Sequence, residues 1–181
     1  MTDKVILGFD PGIGGGVALL SETSEVLVIP TPIIKGKGGA KSLIDIEQLV
    51  RWIKTQILTI EQISLACVEK VHAMPKQGVT ACFTFGMGYG QLLGMLATLS
   101  IPTELVTPQQ WKKEVLKGSG KEKSHAIQYV RRRYPNVSLL ATSRSKKPHD
   151  GMAEALCIAE YGRRLLWQNP NEKSRKNPSI T

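Results

Sequence analysis

The stretch VILGFDPGIGGGVALL, residues 5–20, decides the fold. Val5 to Phe9 is an apolar run of strand length, and Asp10-Pro11-Gly12 closes it with residues that break regular structure. Gly14-Gly15-Gly16 then leads into a second apolar run, Val17 to Leu20. A turn at Ser21 to Ser24 and a third strand at Glu25 to Ile29 follow. Connections this short predict three consecutive antiparallel strands.

Beyond Pro30 the pattern changes. Pro30 to Lys41, rich in Gly and Lys, reads as a flexible loop. Asp45 with Gln48 resembles a capping box ahead of Ile46, Leu49, Val50, Ile53 and Ile57 at helical spacing. Ile63 to Val68 is a fourth strand, apolar enough to be covered on both faces. A loop at Val71 to Gly78 precedes an uncharged helix from Thr80 to Leu99, and Glu104 to Val106 forms a fifth strand. Helices are expected at Pro108–Leu116, Lys121–Tyr134 and Asp150–Trp167, with a loop between Asn136 and Pro148. Antiparallel strands followed by alternating helix and strand predict an α/β domain with a mixed central sheet of five strands. It occupies residues 1–168. Residues 169–181, with two prolines and Ile180 as the one core-forming residue, are expected to be a disordered tail.

The net charge of +9 is unevenly placed. The segment from Gln109 to Lys147 carries eleven Lys and Arg against Glu114 and Glu122, and so holds the whole excess. Such a segment suits a surface that meets phosphates, although a solvated face would look alike. Within it Lys112, Lys113, Lys121, Lys123, Arg131 and Arg132 are candidate DNA contacts. Arg131, Arg132 and Arg133 cannot all face one way on a helix. Cys67, Cys82 and Cys157 lack metal-ligand spacing and read as buried hydrophobes in a reducing compartment. The glycines and Gln91 within Thr80–Ser100 make that uncharged run a poor membrane span, so a core helix or subunit interface is expected there. No signal or transit peptide precedes the first strand, which predicts a cytoplasmic location, bacterial or in the host of a phage.

Four acids carry the chemistry. Asp150 and Glu154 are one helical turn apart and project from one side of the last helix. Asp10 and Glu69 each terminate a strand, where α/β sheets place their ligands. If the four converge, oxygen-only ligation suits Mg²⁺ or Mn²⁺, and four carboxylates suffice for two ions. Asp10 is the best candidate to bridge both ions, and Gly12 and Gly14 to Gly16 would let backbone approach a phosphate. Two of the four also have plainer explanations: Asp10 as a turn residue, Glu69 as an ion pair with Lys70. His149, just before the paired acids, is either a metal ligand or water-orienting group or a residue of the helix cap.

With these residues in view, the chain resembles the RuvC-type Holliday junction resolvases of the ribonuclease H-like superfamily. The resemblance rests on Ile6–Gly12, Val68-Glu69-Lys70, Gly90–Gly94, Val106–Lys113 and His149–Leu156, in that order along the chain. It implies a ribonuclease H-like fold with Asp10, Glu69, Asp150 and Glu154 as metal-binding acids. It further implies a homodimer that nicks opposed strands of a four-way junction and leaves 5′-phosphate and 3′-hydroxyl ends. Lys112 and Lys123 would contact the scissile region. His72 and Met74 lie where the family places a wedge near the junction centre. The Asp-x-x-x-Glu spacing departs from bacterial RuvC and is similar to that of plant chloroplast and phage resolvases. Three rivals stand beside this reading: an RNA-processing nuclease on the same scaffold, a junction-binding protein without catalysis, and an actin-like ATPase or sugar kinase. The last would need a second domain and a nucleotide, and 181 residues leave little room. No nucleotide cofactor and no membrane association are expected.

Overall fold

A computed structural model describes residues 3–38, 41–73, 76–117 and 124–168. In chain order the elements are β1 (Val5–Asp10), β2 (Gly16–Ser21), β3 (Val26–Pro30), β4 (Ile33–Ile34), β5 (Leu43–Ile44) and α1 (Ile46–Gln56). They continue with β6 (Ile63–Glu69), α2 (Val79–Thr98), β7 (Thr103–Val106), α3 (Pro108–Val115), α4 (Ser124–Arg133) and α5 (Asp150–Arg163), which ends in a π-helical turn, Arg164–Gln168. The five-stranded sheet has the order β3-β2-β1-β6-β7. The pairs β1–β2 and β2–β3 are antiparallel, and β1–β6 and β6–β7 are parallel, which is the expected mixed sheet. The expected loop at Pro30–Lys41 contains β4, which pairs with β5 in a small second sheet. The tail at 169–181 lies outside the described residues.

Strand alternation divides the core into two layers. Val5, Leu7 and Phe9 of β1 pack with Val17, Leu19, Leu49, Ile53, Leu92 and Leu96 on the α1/α2 face. Ile6 packs with Ala18, Leu20, Cys67, Trp111, Val130, Leu156 and Ile158 on the α3/α4/α5 face. Both faces of β1 are therefore buried, which explains its uninterrupted apolar sequence.

Helix α5 lies directly on β1 and β2 because three glycines allow it. A Cβ on Gly8 would strike the Ala155 carbonyl, and one on Gly16 would stand 2.6 Å from the Gly151 oxygen. A Cβ on Gly151 would in turn stand 2.6 Å from the Gly14 oxygen. These contacts bring the first turn of α5 against the start of β2. Gly16 and Gly151 therefore serve helix–sheet packing, a different use from the phosphate approach expected of the Gly14–Gly16 run. Among the described residues, no helix is long and apolar enough to cross a membrane.

Candidate active site at the carboxyl edge of the sheet

Asp10 ends β1 and Glu69 ends β6, and these strands run parallel with Phe9 opposite Val68. The two acids thus follow one another across neighbouring strands, whose backbones lie about 5 Å apart. Alternation gives them a common face. Asp10 continues the row of Ile6 and Gly8, and Glu69 that of Leu65 and Cys67, all toward α5. Over that face stands Glu154, one turn into α5, its side chain 15% exposed.

Helix α3 closes the site from the side. Its start is strongly specified: Pro108 occupies the first turn, and Thr107 and Gln110 cap each other reciprocally. Val106 of β7 pairs with Glu69, so α3 begins next to that acid. The fully buried Trp111 donates its indole N–H to Glu69 Oε1 at 2.8 Å. Lys112 Nζ lies 3.6 Å from Glu154 Oε1 and 5.0 Å from the centre of the Trp111 ring. Burial raises the Glu69 carboxyl above the ordinary carboxylate range; the Trp111 hydrogen bond opposes this, the Glu154 charge adds to it and Lys112 offsets part. The charge of Glu154 therefore bears on Glu69 as a like charge.

The other expected site residues divide into groups. Asp150 is exposed in the first turn of α5. His149 is the N-cap of that helix, and its Nδ1 accepts from the Met152 N–H at 3.3 Å. With that lone pair used, the neutral imidazole carries its proton on Nε2 and presents a donor. His72 is exposed in the loop after β6, and Lys113, Arg131, Arg132 and Arg133 are exposed on α3 and α4. Met74, Lys121 and Lys123 lie outside the described residues. Among the described residues, no three His, Cys, Asp or Glu side chains are arranged to hold a metal ion. The carboxylates share one edge of the sheet, but Glu154 has Lys112 as its cation and Glu69 has Trp111 as its donor.

Two features were not anticipated from the sequence. One is the Trp111–Glu69 hydrogen bond; the available signal was a residue with a polar handle at a core position of a short amphipathic helix. The other is Glu160, 1% exposed and held by Arg163 (2.6 and 2.9 Å), Arg164 (3.0 Å) and the hydroxyls of Tyr134 (2.8 Å) and Tyr129 (3.3 Å). That network ties α4 to α5. Cys67 and Cys157 are fully buried, and burial pushes both thiols up, Cys67 to about 12, as inert core residues should be.

No family model matches the chain, and no curated protein matches it. Among solved structures it is similar to T. thermophilus RuvC in complex with a Holliday junction substrate, at 16% identity and a TM-score of 0.52. That match covers 89% of this chain and 94% of the other. It is also similar to the yeast mitochondrial Holliday junction resolvase Ydc2, at 15% identity and a TM-score of 0.52, over 90% of this chain and 79% of that one. The chain has the fold of these resolvases. At such identities the likeness is one of architecture, so the side chains at the sheet edge must carry any argument about chemistry.

Proposed function

We propose that this protein is a structure-selective endonuclease that resolves Holliday junctions by metal-dependent phosphodiester hydrolysis. The observation that carries the reading is the placement of Glu69 and Glu154 at the edge of a resolvase-type sheet, with Lys112 3.6 Å from Glu154 and Asp10 ending the strand beside that of Glu69. A packing role does not account for a partly buried Glu69 with the charge of Glu154 bearing on it, and a divalent cation would offset that charge.

The donor chemistry fits a hard cation: the side chains are carboxylates, as suits Mg²⁺ or Mn²⁺. Asp10, Glu69, Glu154 and the exposed Asp150 would hold it, two ions being the expected number. Bound Mg²⁺ supplies an activated water and neutralises charge at the scissile phosphate. Lys112 exchanges its contact with Glu154 for the phosphate, where its ammonium offsets the charge that builds up in the transition state. His149 donates from Nε2 toward substrate or water. Exposed Lys113, Arg131 and Arg132 contact backbone phosphates, with Lys121 and Lys123 extending that surface.

A homodimer matches the two-fold symmetry of a four-way junction. Helix α2 offers the surface for it. Val79 and Phe83 are 86% and 72% exposed, and Cβ atoms on Gly86, Gly90 and Gly94 would meet nothing in the monomer. This uncharged face suits a second copy.

One observation favours a second reading, a junction-binding protein without catalysis: the Lys112–Glu154 contact already provides that carboxylate with a cation. Initial rates in Mg²⁺ on a four-way DNA junction, a linear duplex and a structured RNA decide between them. We expect paired nicks in the junction alone. An intact but bound junction would leave the non-catalytic reading, and fastest cutting of RNA would make this an RNA-processing enzyme.

A further inference from the structure

We infer that Trp111 is a positioning residue that sets Glu69 and Lys112 together. The inference rests on the endonuclease reading above. Trp111 is fully buried in the layer between the sheet and α5, where packing alone would be met by Phe or Leu. Its indole N–H is a donor that needs an acceptor when buried, and the acceptor it finds is Glu69 Oε1 at 2.8 Å.

That bond commits one oxygen of Glu69 and fixes the plane of its carboxylate, leaving Oε2 to coordinate. The ring face does separate work, since Lys112 Nζ stands 5.0 Å from its centre and reaches Glu154 Oε1 at 3.6 Å. One side chain thus orients an acid at the end of β6 and a cation aimed at the acid on α5. It does so from a helix whose start is fixed by Pro108 and by the reciprocal cap of Thr107 and Gln110. Donors of this kind behind a ligating carboxylate typically change metal affinity by about 10–100-fold when removed.

The test is Trp111→Phe, which keeps an aromatic ring in the core and removes the N–H. We expect the Mg²⁺ concentration for half-maximal junction cleavage to rise by about 10–100-fold. Excess Mg²⁺ should restore most of the rate, and junction binding in Ca²⁺ should be unchanged. Trp52→Phe, on the opposite layer, should leave the Mg²⁺ dependence as it is. A second measurement needs no variant to fold: in ¹⁵N-tryptophan-labelled wild-type protein without DNA, Mg²⁺ should shift the Trp111 indole signal and leave those of Trp52 and Trp167 in place. Wild-type Mg²⁺ dependence in Trp111→Phe, or a Trp111 signal indifferent to Mg²⁺, overturns the inference. Glu69→Gln separates the two levels. If it is inactive while Trp111→Phe behaves as wild type, this inference fails alone; if it cuts normally, the endonuclease reading fails and takes this inference with it.

Discussion

Helix α5 carries two glutamates, six positions apart, in opposite circumstances. Glu160 is buried and fully satisfied. Burial alone would raise its pKa, but hydrogen bonds from Arg163, Tyr134 and Arg164 overcome that and hold it at about 2. Glu154 is also largely buried, yet the ion pair it makes is a 3.6 Å contact with Lys112, while its charge disturbs Glu69. A carboxylate that the fold has compensated is part of the fold. One left poorly compensated beside a second acid is available for a cation or a substrate.

The largest effect expected from this contrast is on catalysis. Asp10→Asn should abolish cleavage in Mg²⁺ while the protein still binds junctions in Ca²⁺, as gel-shift and nicking assays on one preparation would reveal. A wild-type rate in that variant would remove Asp10 from the site. Next comes stability. Glu160→Gln strands Arg163 and Arg164 without their anion, and breaking a buried pair costs about 3–5 kcal/mol. At roughly 2–4 °C per kcal/mol for a chain of this size, thermal denaturation should register a drop of about 6 °C or more. Glu154→Gln should melt at the wild-type temperature or above it, because it removes a repulsion. Equal melting points for the two variants would erase the distinction between the acids.

A third effect is on acid stability. The pKa of Glu160 is lowered in the folded protein from the ordinary 4.5 to about 2. Its contribution is therefore complete above pH 4.5 and lost progressively as the pH falls toward 2. Urea midpoints across that window should fall more steeply for the wild type than for Glu160→Gln, and parallel curves would contradict the assignment. The smallest single-residue effect should come from the basic surface. Junction affinity should fall about 10³-fold between 50 and 200 mM salt for about six phosphate contacts, and Arg131→Ala or Arg132→Ala should each reduce the salt slope by about one. A flat dependence would remove the DNA-facing role of that surface.

Much of the fold was legible because β1, β2 and β6 are apolar runs, with Asp10-Pro11-Gly12 closing the first and Gly14-Gly15-Gly16 opening the second, and such punctuation is local. Two helix starts were legible for the same reason: Asp45 accepts from the Gln48 N–H at 2.8 Å, and Pro108 stands in the first turn of α3, although the cap of Thr107 and Gln110 there was not read. The pairing of Ile33-Ile34 with Leu43-Ile44 was not, since two-residue strands leave no period to read. Asp10, Glu69 and Glu154 could be placed because strand ends and helical spacing predict a common edge. Their electrostatic partners could not. Whether Glu160 meets Arg163 or solvent depends on how α4 docks on α5, and whether Trp111 is merely core depends on where β7 delivers α3. The purpose of Gly16 and Gly151 was hidden likewise, because Gly16 is small for the Gly151 carbonyl and Gly151 is small for the backbone of Gly14 and Gly15.

The most direct measurement compares Glu154→Gln and Glu160→Gln for Mg²⁺-dependent junction cleavage per folded molecule, at a temperature where both are native. The account predicts that Glu154→Gln is inactive though fully folded, and that Glu160→Gln cuts at the wild-type rate. Wild-type cleavage by Glu154→Gln would contradict it.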